Sequence, residues 1–89
     1  MSTAPLTTVT YVTAPACHLC DHGRRVLDEL SQHLPLQVIE VDLDSTEGRQ
    51  LPATHRFAFP PAIIVDDTLI AHGRLSARGL ARLLPLAVS

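Results

Sequence analysis

The alternation of apolar and polar positions predicts four strands in this chain of 89 residues. Residues 6–13, LTTVTYVT, are rich in β-branched side chains and contain no glycine or proline, which is typical of a buried strand. Residues 36–43, LQVIEVDL, alternate as a second strand does. The apolar run at 61–67, PAIIVDD, predicts a third strand that turns at Asp66–Asp67. Residues 68–73 then return as a fourth, so the last two strands are expected to form a hairpin.

Three segments outside these strands have the spacing of amphipathic helices. The first begins near the two cysteines and ends before Pro35, with small or apolar residues every three or four positions. These residues are Leu19, Gly23, Val26, Leu27, Leu30 and Leu34. A short second helix is expected from a capping start at residues 44–47, with Asp44 as N-cap, and Pro52 should kink or split it. Ser76 can cap the third helix. Its inward-facing residues are expected to be Leu80, Leu83 and Leu84.

The predicted order of elements is therefore β-α-β-α-β-β-α. A strand, a helix and a strand in succession make the first two strands parallel, because the helix must cross over one face of the sheet. The hairpin adds an antiparallel pair, and the helices cover the sheet. We expect an α/β thioredoxin fold with a four-stranded mixed sheet flanked by helices, formed by one domain that spans residues 1–89.

Charge and hydropathy narrow the range of partners. The net charge is −2, so no basic excess attracts nucleic acid or an anionic membrane. The first ten residues have neither the basic nor the apolar segment of a signal peptide. The longest apolar run, PPAIIV, is too short to cross a membrane. We therefore expect a cytoplasmic monomer without nucleic-acid or membrane partners.

The only two cysteines, Cys17 and Cys20, lie in the stretch TAPACHLCD. They fall where the first strand gives way to the first helix, so both sulfurs are expected on one side of the first helical turn. Unpaired backbone N–H groups and the helix dipole at that point should lower the pKa of the Cys17 thiol, and a protonated His18 would add to this effect. The predicted chemistry is thiol–disulfide exchange, in which Cys17 attacks a substrate disulfide and Cys20 resolves the mixed disulfide.

Metal binding is the rival interpretation of the cysteine pair. A structural zinc site usually takes four ligands from two well-spaced pairs, and this chain has one CxxC. His18 and His22 could complete only a partial site, so we predict no metal ligand. Two alternatives stay open at this point. One is a non-catalytic module of the same fold that holds a metal or a persulfide on its thiols, and the other is an interaction domain with unreactive cysteines.

The stretch APACHLCD, followed by an apolar helix, and the stretch FAFPPAIIV at residues 57–65 resemble the small bacterial glutaredoxin-like proteins of the thioredoxin superfamily. The resemblance extends from Thr8 to Leu84. It implies an oxidoreductase for disulfides of proteins or of glutathione, with no bound cofactor, and with glutathione or a dedicated reductase as electron donor. It also implies a cis Pro61 that faces the cysteines across the rim of the site. Gly23 would let the helix approach the sheet closely.

We predict that Pro60, Pro61 and His18 line the substrate site, and three departures from the family weaken the case for glutathione. The glycine-pair and aspartate motif that the family has before its last helix is reduced to HGRLS, where Arg74 or Arg78 could replace part of the lost charge. Glutaredoxins that bind glutathione usually carry Lys or Arg three residues before the first cysteine, where this chain has Ala14. Pro60 has no N–H, so one of two expected backbone hydrogen bonds to a bound cysteinyl group cannot form. At about 0.5–1.5 kcal/mol per net hydrogen bond, binding should weaken several-fold.

Other residues are expected to have structural roles. Tyr11 and Phe57 are assigned to the core, whereas Phe59 is expected at the rim. Arg24 and Arg25 are expected to form an i,i+4 charge ladder with Asp28 and Glu29 along the first helix, and not to line a glutathione pocket. His22 is expected to be a solvated helix residue.

Overall fold

The computed structural model describes residues 6–88, and the side chains of residues 6–84. Its elements are β1 (Thr7–Thr13), α1 (His18–Ser31), β2 (Leu36–Asp42), the 3-10 turn η1 (Gly48–Gln50), α2 (Leu51–His55), β3 (Ala62–Val65), β4 (Thr68–His72) and α3 (Ala77–Val88). The predicted order of strands and helices is confirmed. Within residues 6–88, no helix combines the length and the apolar character that a membrane crossing requires.

The four strands form one mixed sheet in the order β2-β1-β3-β4. β1 is parallel to β2, with Tyr11 beside Glu40, and antiparallel to β3, with Val12 beside Ala62. β3 and β4 form the predicted hairpin. Its two turn residues, Asp66–Asp67, have positive φ angles of 49° and 62°, as a two-residue type I′ turn requires.

The sheet carries a hydrophobic cluster on each face. The cluster beneath α1 and α3 consists of Val9, Tyr11, Val26, Leu27, Leu30, Ile63, Val65, Leu75, Leu80 and Leu84. The cluster on the opposite face consists of Val12, Phe57, Ala62 and Ile64, with Leu43, Leu51 and Leu69 packed against it. Because successive residues of a strand point to opposite faces, Tyr11 lies towards α1 while Val12 lies towards α2. The assignment of Tyr11 and Phe57 to the core is confirmed.

The last helix begins as predicted but buries fewer leucines than expected. The Ser76 hydroxyl accepts a 3.0 Å hydrogen bond from the Gly79 N–H, which caps α3. Leu80 and Leu84 are 2% and 1% exposed, whereas Leu83 is 39% exposed. The prediction for Leu83 was wrong because residues four apart share a helix face and Leu83 lies at the edge of that stripe.

The second helix is split, and its start differs from the prediction. The Ser45 hydroxyl, and not the side chain of Asp44, accepts a 2.9 Å hydrogen bond from the Gly48 N–H. The chain then forms the 3-10 turn η1 before α2 begins at Leu51. Pro52 lies in the first turn of α2, where its missing N–H breaks no helical hydrogen bond. The predicted division of this helix is confirmed, but it falls between Gln50 and Leu51 and not at Pro52, and the predicted capping start at Asp44 was wrong.

Candidate active site

The two cysteines lie at the junction of β1 and α1, as the sequence predicted. Cys17 is the N-cap of α1, with extended backbone angles (φ −112°, ψ 105°), and Cys20 lies in the first turn. Their sulfurs form a disulfide bond, and their Cα atoms are 5.1 Å apart. The Cys17 Sγ also accepts a 3.1 Å hydrogen bond from the Cys20 N–H. A helix N-terminus therefore donates to the first sulfur.

The two sulfur-bearing residues differ in exposure. Cys17 is partly exposed, whereas Cys20 is 1% exposed and belongs to the buried side of α1. The preceding residue, Ala16, has a positive φ of 53°, a left-handed conformation that turns the chain from the strand into the helix. The tight turn leaves Cys17 at the tip of the helix. Only the first cysteine of the pair is accessible to a large reactant.

Tyr11, on the sheet face that α1 covers, contacts the first turn of α1, which contains Cys20. Its hydroxyl donates a 2.6 Å hydrogen bond to the Cys20 carbonyl. Tyr11 is fully buried, and this burial raises the pKa of its hydroxyl to about 12. Gly23 makes room for this contact, because a Cβ at position 23 would overlap the Tyr11 hydroxyl and lie 2.9 Å from Leu75 Cδ1. The close approach expected at Gly23 is therefore present, while the hydrogen bond of Tyr11 was not foreseen.

A cluster of three charged residues borders the same turn. Arg24 donates from Nε and Nη2 to the two carboxylate oxygens of Glu40, at 2.8 and 2.9 Å, and from Nη1 to Asp21 at 2.8 Å. Thr13 adds a 3.3 Å hydrogen bond from its hydroxyl to Glu40. The hydrogen bonds from Arg24 hold the pKa of the Glu40 carboxyl below its usual range, and they raise the pKa of Arg24.

The ladder predicted for Arg24 and Asp28 was wrong. Arg24 turns back towards Asp21 and across to β2, because parallel pairing puts Glu40 beside Tyr11, beneath α1. Alternation along β2 could have indicated that Glu40 points to the α1 face. The sequence contains no signal for the register that brings it to Arg24.

The proline pair precedes β3, and its peptide bond is cis. Pro61 is buried, and its carbonyl accepts a 2.8 Å hydrogen bond from the Gly73 N–H. Ala62 pairs with Val12 in the antiparallel sheet, so Pro61, one residue earlier, lies beside the last residue of β1. The chain continues from that end of β1 to Cys17. The proline pair and the cysteines therefore lie at the same end of the two central strands. Pro60 is partly exposed there.

Two more side chains are solvent-accessible at or near this region. His18, the first residue of α1, is exposed between the cysteines. Phe59 is 56% exposed just before the proline pair and close to Gly73. An aromatic ring this exposed stands out in a chain with three aromatic residues, Tyr11 among them. The sequence prediction of Phe59 at the surface agrees with its exposure.

His22, one of the two histidines considered for a partial metal site, contacts a backbone carbonyl. The Nε2 atom of His22 lies 3.1 Å from the Leu75 carbonyl, which links α1 to the segment before α3. In the part of the chain that the structure describes, no three side chains of His, Cys, Asp or Glu gather as metal ligands. The prediction that His22 has only solvent contacts missed this link, which joins residues far apart in the chain.

Comparison with known proteins identifies the fold. No protein-family model matches the chain, and no curated protein sequence matches it. Among solved structures, a malarial protein is 22% identical, with a TM-score of 0.71 over 96% of this chain and 100% of that one. A single-site mutant of thioredoxin from Halobacterium salinarum is 17% identical, with a TM-score of 0.72 over 93% of this chain and 75% of that one.

A third similar structure is glutaredoxin 1 from Francisella tularensis in complex with cacodylate. It is 15% identical, with a TM-score of 0.58 over 92% of this chain and 96% of that one. Identities this low carry information about the backbone only. The predicted thioredoxin fold is confirmed by these likenesses and by the order of the strands.

Proposed function

We propose that this thioredoxin-fold protein is a thiol–disulfide oxidoreductase of glutaredoxin-like type, in which Cys17 is the nucleophile and Cys20 is the resolving cysteine. One observation carries the proposal. The cysteines are disulfide-bonded at a helix N-terminus, with the first residue partly exposed and the second buried. A structural staple would not need this asymmetry, whereas an exchange reaction does, because one sulfur must meet the substrate first.

The reduced protein starts the reaction at Cys17. The Cys20 N–H, 3.1 Å from the Cys17 Sγ in the disulfide, can donate to the Cys17 thiolate, and the dipole of α1 favours the same charge. The thiolate attacks one sulfur of the substrate disulfide. The substrate S–S bond breaks, a mixed disulfide with Cys17 forms, and the departing thiolate takes a proton from water.

Cys20 completes the exchange. Its thiol loses a proton to water and its sulfur attacks the Cys17 Sγ, which releases the second substrate thiol and forms the Cys17–Cys20 disulfide. In the disulfide-bonded protein the two Cα atoms are 5.1 Å apart, within the usual range for this bond. Counted from the dithiol, the protein loses two electrons and two protons, one proton when the Cys17 thiolate forms and one from Cys20. The substrate gains the two electrons, and each of its departing thiolates takes a proton from water. A dithiol, or two monothiols, then restores the reduced pair.

Substrate docking is proposed at the rim formed by His18, Pro60 and Pro61, with the exposed Phe59 beside it. Pro60 offers a carbonyl but no N–H, so a bound cysteinyl backbone would form one hydrogen bond fewer there. Exposed apolar surface next to the proline pair favours a protein disulfide over a small polar one. The electron donor in this proposal is glutathione or a dedicated reductase. The reducing cytoplasm, where catalytic disulfides form only transiently, suits such an enzyme.

Trapping of the mixed disulfide tests the proposal. Cys20→Ser, incubated reduced with a disulfide-bonded peptide, should accumulate a covalent adduct on Cys17 that is seen by mass spectrometry after acid quenching and lost on adding dithiothreitol. Cys17→Ser is the matched control and should accumulate none. If neither variant traps the peptide, the proposed roles are wrong. A metal-holding module would instead show about one metal per chain, or per two chains, in the purified protein.

A further inference from the structure

We infer that Glu40 and Asp21 select substrates by charge: they occupy the guanidinium of Arg24, so the site favours neutral and cationic disulfides over anionic ones. The inference rests on the proposed function, and it names the class of disulfide that this site takes. Three observations support it: the position of Arg24 along α1, the hydrogen bonds from its guanidinium to Glu40 and Asp21, and the net negative charge of these three residues together.

Arg24 lies on the face of α1 that carries the reactive cysteine. Cys17, Asp21 and Arg24 are spaced by four and three residues, so they share one face of the helix. The Asp21 N–H donates a 3.1 Å hydrogen bond to the Cys17 carbonyl, which shows that the helix is continuous from its first residue. Seven residues at about 1.5 Å each put the Arg24 Cα roughly 10 Å along the axis from Cys17.

The guanidinium is closer to the cysteines than its Cα, because the side chain runs back towards the helix N-terminus. Its bond to Asp21, one turn earlier, shows this direction. Tyr11 supplies a second sign of proximity. It pairs with Glu40 in the sheet, and its hydroxyl donates a hydrogen bond to the Cys20 carbonyl. A substrate bound at Cys17 therefore lies within roughly 10 Å of this cluster.

The guanidinium of Arg24 is not free to bind a carboxylate of an anionic substrate. Glu40 accepts two parallel hydrogen bonds at 2.8 and 2.9 Å, the bidentate geometry that arginine offers to carboxylates, and Asp21 accepts a third at 2.8 Å. Three of about five guanidinium N–H groups are thus used. Thr13, which is 3% exposed, also donates to Glu40 and fixes its carboxylate. A carboxylate on the substrate would have to displace one of these partners.

The remaining charge acts against anions. Two carboxylates against one guanidinium leave the cluster with a net charge of −1. The side chains of Arg24, Glu40 and Asp21 are 43%, 44% and 59% exposed, so the cluster faces solvent. Ala14, three residues before Cys17, adds no cation. At roughly 10 Å in water, each unit of substrate charge should change the rate about twofold.

Three small disulfides of similar size test the inference: cystamine, which is cationic, hydroxyethyl disulfide, which is neutral, and dithiodipropionate, which is anionic. The rate constant for oxidation of the reduced protein by each is divided by that of free dithiothreitol, which removes intrinsic reactivity. We expect the order cationic, neutral, anionic, with about a tenfold span at low salt that collapses near 1 M salt. Equal normalised rates would overturn the inference. Failure to react with any of the three, the neutral one included, would instead overturn the proposed function.

Two matched variants distinguish the effect of freeing the Arg24 guanidinium from the effect of removing one negative charge elsewhere on the protein. Glu40→Ala frees the guanidinium and should raise the normalised rate with dithiodipropionate about three- to tenfold. Glu29→Ala makes the same charge change on the exposed surface of α1, about 18 Å along the axis from Cys17, and should raise it less than about 1.5-fold. Equal gains in the two variants would contradict the inference.

Arg24→Gln in the Glu40→Ala background should abolish the gain, and retention of the gain would also count against the inference. An unchanged far-ultraviolet circular dichroism spectrum and a rate with hydroxyethyl disulfide within about twofold of wild type verify that each variant is folded. Should Glu40→Ala not fold, Asp21→Asn offers a second measurement. It removes one exposed carboxylate from Arg24, and it must raise the rate with dithiodipropionate more than Glu29→Ala does.

Discussion

The Tyr11 hydroxyl and the Cys20 carbonyl form a 2.6 Å hydrogen bond that ties β1 to the first turn of α1. The bond lies directly beneath the cysteine pair, and Tyr11 is fully buried. Because strand and helix are connected by the short turn at residues 14–16, this contact holds both ends of the segment that presents Cys17. The position of Cys17 thus depends on a hydrogen bond made in the first turn of the helix that follows it.

Tyr11→Phe removes this hydrogen bond and keeps the ring. We expect the free energy of unfolding at pH 7 to fall by about 1 kcal/mol. The difference between wild type and variant should shrink above about pH 10, because the unfolded tyrosine ionises near 10, whereas the folded one is held neutral to about 12. The raised pKa therefore makes the contribution of Tyr11 present below pH 10 and lost as pH rises towards 12.

Urea unfolding of both proteins at several pH values measures this convergence. Since Tyr11 is the only tyrosine and the chain has no tryptophan, absorbance of tyrosinate also titrates this one group. A midpoint near 10 in the folded protein would show that the hydroxyl is not buried as described.

Gly23→Ala should destabilise the protein, because the new Cβ overlaps the Tyr11 hydroxyl. Overpacking costs about 1–3 kcal/mol, against which alanine gains up to about 1 kcal/mol of helix propensity. In the Tyr11→Phe background the hydroxyl is gone, so the same substitution should cost less. Part of the cost should remain, since the Cβ still lies 2.9 Å from Leu75 Cδ1. A double-mutant cycle by urea unfolding gives the coupling energy, and a value near zero would refute the contact.

The Cys17 thiol should react as a thiolate at lower pH than a free cysteine. In the reduced protein, the rate of alkylation by iodoacetamide should titrate with a pKa below about 8.5, because the helix N-terminus stabilises the thiolate. Cys20, 1% exposed, should be alkylated only after unfolding. Peptide mapping distinguishes the two sites. Preferential labelling of Cys20 in the folded protein, or a midpoint at or above the free value, would contradict this expectation.

Acid should weaken the cluster around Arg24. The pKa of Glu40 is lowered in the folded protein, so its contribution to stability is present above the unfolded value of about 4.3 and is lost as pH falls through the folded value. Between pH 6 and pH 3, wild type should lose more stability than Glu40→Gln. The difference should stay under about 1 kcal/mol, because both partners are about half exposed. Urea midpoints at the two pH values measure it, and parallel losses would contradict it.

Much of the backbone could be predicted from local patterns. The residues of β1 are apolar or β-branched over a full strand length, and the turn at Asp66–Asp67 leaves no room for a parallel return. Ser76 marks the start of α3 because its hydroxyl accepts a hydrogen bond from a backbone N–H group. Pro52 lies in the first turn of α2 because it has no N–H group to donate. These signals act over a few residues, so they can be seen without knowing the tertiary contacts.

The sequence by itself determined the order of elements and the location of the CxxC pair at a strand-to-helix junction, because periodicity and helix capping are local properties. Only the tertiary structure decided that Arg24 pairs with Glu40, that Tyr11 donates to Cys20, and that Leu83 stays exposed. Each of these depends on the register and the approach of segments far apart in the chain. The packing of α1 on the sheet is also what buries Cys20 and leaves Cys17 partly exposed.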